Sequence, residues 1–296
     1  MSQSQSQSVA TSESSRLGFS LAFPASIVVL LIIMVPILLM FRYSFNEFDP
    51  RTMMKEGFTL QNYINFFTDT YYRKVFTDTL KVAGICTLLA LVMGFPVAYF
   101  LAKTQTRFKS ILIILLVFPL MVGNVVRAAG WMVVLGNAGA VNALLLWMGV
   151  IDEPIKLLYT PLAVVIGTTA VVLPFMILTL QSVLEGMDFA VEEAARNLGA
   201  NQFTTFWRVV LPIAAPGVAA GTMLVFILCM NAYATPVLLG GSGITMMAPS
   251  LYSQIAKASN WPFGSSMALI LVVATMAIAL TSSWLIHRRY VRTMTS

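Results

Sequence analysis

Six stretches of this sequence are apolar for more than about 20 residues each, roughly 19–41, 76–102, 110–135, 161–184, 213–239 and 264–286. A helix rises about 1.5 Å per residue, so about 20 apolar residues cross the ~30 Å hydrocarbon core of a bilayer. In lipid each backbone donor and acceptor must be satisfied within the segment, which leaves the helix as the form for runs of this length. The expected fold is therefore all-α: an integral membrane bundle of six spans occupying 19–286. The composition agrees, with 58% apolar and 10% charged residues, where a soluble domain is about 25% charged. The run 19–41 is too long for a signal-peptide core and no small-x-small cleavage site follows it, so it reads as a retained span. Residues 1–18, rich in Ser and Gln, read as a disordered tail. Residues 287–296 form a short tail containing His287, Arg288, Arg289 and Arg292.

Charge between the spans sets an orientation. The 103–109 loop holds Lys103, Arg107 and Lys109 with no acid, whereas the 136–160 segment holds Lys156 beside Asp152 and Glu153. The positive-inside rule then places both termini, the 103–109 loop and the 185–212 loop in the cytoplasm. Five cations in the 42–75 segment run against that assignment. The net charge of +6 reads as topology and gives no reason to expect nucleic acid. Cys86 and Cys229 lie inside apolar runs without metal-ligand spacing, and no Gly-Lys-Ser/Thr phosphate loop or Ser/His/Asp set is present. Neither an enzyme nor a resident cofactor or metal is expected of this chain. Seven span prolines (Pro24, Pro36, Pro96, Pro119, Pro174, Pro216, Pro236) favour bent helices. Gly217-x-x-x-Gly221 suggests that this end of the helix packs tightly against a partner helix.

The 185–212 loop carries more information than its length suggests. Val191, Ala194, Ala195 and Leu198 fall at i, i+3, i+4 and i+7, and Phe203, Phe206, Trp207 and Val210 repeat that spacing. Each set predicts an apolar stripe on a short helix. Asp188 is placed to cap the first helix, Gly199 to stop it in a left-handed turn, and Asn201 to cap the second. The expected product is a hairpin whose aromatic stripe faces the membrane helices, with Glu192, Glu193, Arg196 and Asn197 turned outward. An amphipathic hairpin can also simply float at the bilayer surface. Such hairpins are usually basic, whereas this one is more acidic than basic near its tip.

The pattern Glu193-Ala194-Ala195-x-x-x-Gly199-x9-Val209-x-Leu211-Pro212 resembles the signature of permease subunits in binding-protein-dependent ABC importers. The resemblance implies a cytoplasmic coupling helix between spans four and five that inserts into a groove of an ATPase. By the same resemblance Glu193 bonds the ATPase, Ala194 and Ala195 allow close seating, and Gly199 makes the turn, with Glu192 and Arg196 alongside. ATP and Mg would belong to the partner. The implied assembly has a second, related permease, two ATP-binding subunits and a periplasmic or surface solute-binding protein.

The segments Phe58–Tyr63, Gly149–Asp152, Leu158–Thr160, Leu173–Leu178 and Asn260–Gly264 look like those of spermidine/putrescine-type permeases. That family also takes other small organic solutes, opines included. Arg127 lies inside the third apolar run, where an ionisable residue is a functional candidate; snorkelling to the outer interface is the competing reading. Ala128 and Ala129 follow it where the family often has aromatic residues. Asn124, Asn231, Tyr233 and Thr235 are candidates to line a path, or to hydrogen-bond between helices. Few acids lie within the spans, Asp78 being the main one. A zwitterion or a carboxylate-bearing solute is therefore an alternative to a polyamine. Secondary transporters and channels, the other classes open to such a chain, would show buried coupling acids, inverted repeats or a filter-like loop. None is evident in the sequence.

Overall fold

The computed structural model describes residues 23–24, 26–241 and 243–294, with side chains described through Ser282. The 1–18 tail and the side chains of the 287–296 tail lie outside the described residues. Among the described residues thirteen α-helices and two π-helical turns follow one another, and the only β-type pairing is an isolated bridge between Glu47 and Lys55. Helix α1 is Ser26–Tyr43. Then come α2 (Gln61–Thr68), α3 (Thr70–Lys103), α4 (Lys109–Met121), α5 (Asn124–Leu135), α6 (Ala140–Trp147) and α7 (Pro161–Glu185). The short α8 (Ala190–Asn197) and α9 (Gln202–Thr205) precede α10 (Leu211–Met230), α11 (Ala234–Gly240), α12 (Met247–Tyr252) and α13 (Trp261–Met294). Six segments are long and apolar enough to cross a membrane: α1, α3, α5 with α6, α7, α9 through α10, and α13.

The core forms where α3, α7 and α10 pack together. Phe95, Met176, Ile177, Leu180, Val225 and Met230 are buried there. Gly217 and Gly221 permit the approach of α10 to α7. A Cβ at Gly217 would stand 2.8 Å from Val183 Cβ, and one at Gly221 would stand 2.8 Å from Met176 Sδ. The small-residue pattern thus serves the close packing expected of it, with α7 of the same chain as the partner helix. Helix α1 is the opposite case, since none of its apolar window is buried.

Two expected spans are broken. The run 110–135 is not one helix: α4 ends at Met121, Val122 and Gly123 are extended with ψ of 131° and 145°, and α5 starts at Asn124. Pro119 weakens the end of α4, and Gly123 and Asn124 are both poor helix formers. Thirteen residues span only about 20 Å, so α4 does not cross alone. The run 213–239 is likewise divided, because α10 ends at Met230 and α11 begins at Ala234. Pro236 falls in the first turn of α11, where its missing donor costs nothing. By contrast α3, α7 and α10 continue through Pro96, Pro174 and Pro216.

The connection from α1 to α3 is a folded unit. Asn62 Nδ2 donates to the carbonyls of Ser44 and Asn46, each at 2.9 Å. Phe45 and Phe58 stack with centroids 4.7 Å apart. The segment before α13 is tied to the same region by the Met247 N–H, which donates to Thr79 Oγ1 at 2.8 Å.

Candidate functional site

The hairpin predicted over 185–212 is present, with its local chemistry as read from the sequence. Asp188 Oδ1 accepts from the Ala190 amide at 2.9 Å, and Asn201 Oδ1 accepts from the Thr204 amide at 2.7 Å. Gly199 has φ of +89°, a region that disfavours L side chains. Around it the Gly199 amide donates to the Arg196 carbonyl (2.9 Å) and the Ala200 amide to the Ala195 carbonyl (3.1 Å). These two bonds close α8 with the paired pattern that a left-handed C-terminal residue allows. A π-helical turn, Phe206–Val210, then leads into α10, with the Leu211 amide donating to the Phe206 carbonyl. Pro212, two residues beyond it, has no amide hydrogen to continue an α-helical ladder.

The orientation of the hairpin differs from the expectation. Glu192, expected to point outward, is 1% exposed. Its carboxylate accepts from Tyr99 Oη at 2.6 Å and pairs with Lys103 Nζ at 3.1 Å and Arg196 Nη2 at 2.5 Å. Burial alone pushes this carboxyl up. The hydrogen bonds from Tyr99 and Lys103, with the Lys103 and Arg196 charges, outweigh it and hold the group below its ordinary range. The aromatic stripe, expected to face the bundle, divides: Phe206 meets Phe95 edge to face at 5.3 Å, whereas Phe203 and Trp207 turn outward with the α8 stripe. Leu198 is 89% exposed, Phe203 72%, Trp207 53% and Val191 47%, although Val210 is buried. The physical reason is competition for one face of an eight-residue helix. Tyr99 and Lys103 stand four apart on α3 and so share a face, and a carboxylate that meets both outcompetes an apolar contact. Glu193, Ala194 and Arg196 remain exposed, with Ala195 half-buried. The hairpin therefore presents apolar groups and one free acid, Glu193, outward, while Glu192 acts as its anchor. Tyr99 was missed in the sequence because it lies within an apolar run; the signal was its spacing from Lys103.

The candidate path residues gather near the two breaks. Arg127 occupies the first turn of α5, where its amide donates to the Gly123 carbonyl at 3.1 Å and Nη2 donates to Asn124 Oδ1 at 2.5 Å. Its Nε and Nη1 are buried without a hydrogen-bond partner among the described residues. Asn231 caps the end of α10, donating from Nδ2 to the Ile227 carbonyl at 2.9 Å. Tyr233 meets Tyr252 edge to face at 5.1 Å. Thr235 is buried at the start of α11. Because α5 and α11 pack against each other, the broken ends belong to neighbouring elements. Among the described residues no hydrogen bond joins Arg127 to Asn231, Tyr233 or Thr235. Within the hydrocarbon, irregular backbone is tolerated where it is shielded by protein or lines a cavity.

A bundle of apolar spans with a charged, clamped hairpin between its fourth and fifth crossings defines a multi-pass membrane protein. Residues 87–292 match the family model described as "Binding-protein-dependent transport system inner membrane component", and the chain belongs to that family. It is 36% identical over 241 residues to the spermidine/putrescine transport system permease protein PotB of Haemophilus influenzae, covering 81% of this chain and 84% of that one. The protein of the same name from Escherichia coli K12 is 36% identical over 254 residues, covering 86% and 92%. The fold is that of solved permeases. A bacterial alginate ABC transporter, solved with its alginate pentasaccharide-bound periplasmic protein, superposes with a TM-score of 0.75 at 15% identity, covering 94% of this chain and 96% of that one. An inward-facing methionine ABC transporter gives 0.53 at 17% identity, covering 73% and 94%.

Proposed function

We propose that this chain is a permease subunit through which an ATP-driven importer passes a polyamine of the spermidine or putrescine kind. The observation that carries the coupling part is the hairpin: an anchored helix whose exposed side offers Leu198, Phe203 and Trp207 beside the free Glu193. Exposed apolar groups of this size fit a protein socket better than water, and Glu193 supplies a charge for a basic residue in it. Glu193, Ala194, Ala195 and Gly199 then form the contact with the ATPase. The cytoplasm receives the hairpin and both termini. A second permease and two ATP-binding subunits complete the machine, and a binding protein delivers solute on the far side. The names of the relatives support the polyamine assignment. Arg127 favours a second reading, since unpartnered guanidinium nitrogens suit a carboxylate on a zwitterionic or opine-like solute.

The test is uptake by the reconstituted complex with its binding protein and ATP. Labelled spermidine or putrescine should accumulate and unlabelled amino acids should not compete. Uptake of a zwitterion with no uptake of either amine would overturn the polyamine reading in favour of the second.

A further inference from the structure

The N-terminal end of α3 carries a cavity that the coupling hairpin and the broken spans do not use. It has a volume of about 870 Å³ and is walled by the α1–α3 connection on one side and by residues 254–263 on the other. That volume lies in the range of small-molecule sites. Its wall is chemically selective. Two carboxylates, Glu47 and Asp69, line it, and neither belongs to an ion pair among the described residues. Asp69 caps α3 by accepting the Tyr71 amide on Oδ1 at 2.7 Å, which leaves Oδ2 unengaged. Tyr72 and Phe263 also line the cavity and meet edge to face with centroids 4.7 Å apart. Gln254 donates from Nε2 to Tyr72 Oη at 2.9 Å, so its carbonyl oxygen remains free to accept. No lysine or arginine is part of this wall.

Two unpaired acids, with side-chain amides and hydroxyls around them and no cationic residue, give the wall a net negative character. An anion is repelled there. A linear amine fits, with ammonium groups at the carboxylates and methylenes against the half-buried Tyr72. We propose that this cavity is a capture site for a linear di- or polyamine on the permease itself, occupied before the solute enters the spans. The inference rests on the reading of the chain as a polyamine importer. It adds a site, distinct from any on a binding protein and from the Arg127 region.

The experiment titrates putrescine into the complete permease–ATPase complex in nanodiscs, without binding protein, using the monoamine butylamine as control. The variants are Asp69→Asn, which preserves the cap, and Glu47→Gln. Wild type should bind putrescine saturably and more tightly than butylamine. Each variant should weaken the diamine by about tenfold and raise the uptake KM. Equal isotherms for wild type and the Asp69→Asn/Glu47→Gln double variant, or no saturable binding to wild type, would overturn the site. Failure of the polyamine reading looks different: wild type would bind putrescine in this assay yet import none with its loaded binding protein.

Discussion

Replacing Glu192 by Gln keeps the shape of the side chain and removes the charge that holds the hairpin to α3. Tyr99 can still donate to the amide oxygen. Lys103 and Arg196 lose a carboxylate and gain a competing donor. A hydrogen bond to a charged group contributes about 1.5–3 kcal/mol and a neutral one about 0.5–1.5. Both cations are 44% exposed, so water screens part of the loss. The attachment should weaken by about 2 kcal/mol, which is roughly thirtyfold in the opening equilibrium. Amide hydrogen exchange across 190–198, read by mass spectrometry in detergent or nanodiscs, reports that opening directly. Glu192→Gln should accelerate exchange there by about thirtyfold, and Glu193→Ala, at an exposed position, should leave it near wild type.

The dependence on pH follows from the same contacts. The carboxyl of Glu192 lies below its ordinary value of 4.5 in the folded chain. Its contribution is therefore complete above about pH 4.5 and disappears as pH falls through the lower folded value. The difference between wild type and Glu192→Gln should hold from neutrality down to that region and vanish below it. Lys103→Met should cost more than Glu192→Gln, about 3 kcal/mol, because it strips a partner from a buried carboxylate. The double variant should recover part of that loss. Exchange across 190–198 that is the same in Glu192→Gln, Glu193→Ala and wild type would refute the anchor and return Glu192 to the outward set.

Further outcomes concern the outward face and the path. Glu193→Ala and Gly199→Val should both insert normally yet lose ATPase co-purification and uptake, the first by deleting a charge and the second by straining a residue at φ of +89° by about 1–2 kcal/mol; normal uptake by both would remove the coupling assignment. Arg127→Lys should impair uptake at matched membrane levels and Arg127→Met more so, because a point charge does not replace the planar fork; near-normal transport by the Lys variant would favour snorkelling. Cysteines at Thr106 and Gln202 should react with membrane-impermeant reagents only from the cytoplasm, and one at Thr52 only from outside; labelling of Gln202 in intact cells would reverse the orientation.

Six spans and the hairpin were legible because their signals are local. Run length settles a span, and Asp188, Gly199 and Asn201 settle turns through bonds within three residues. What failed needed tertiary information. The stripe Val191–Leu198 has the right period for an amphipathic helix, but period does not say which side the bundle claims. Tyr99 and Lys103 decided that from 93 and 89 residues away. The break at Val122–Gly123 was hidden because hydropathy is blind to a change of ψ in an apolar run. Asp69 and Glu47 were hidden for a different reason: a carboxylate in a loop looks solvated until the opposite wall, here Gln254 and Phe263, is in place.

Helix α3 connects the two regions that carry charge chemistry. Asp69 caps its first turn beside the cavity, and Lys103, its last residue, holds Glu192. Thirty-four residues place those ends about 50 Å apart. Helices α7 and α10 flank the hairpin in sequence, and both pack on α3 through the buried core. A hairpin joined to α3 only through chain connectivity would leave that helix free to lag behind. The Glu192 clamp adds a direct bond at the point of load. Because close-packed interiors transmit displacement instead of absorbing it, α3, α7, α10 and the hairpin form one body. Helix α1, with nothing buried in its apolar window, lies outside that body. If the exposed side of the hairpin is where the ATPase bears, breaking the clamp should uncouple it from the wall containing Asp69 and Tyr72 while leaving each site locally intact.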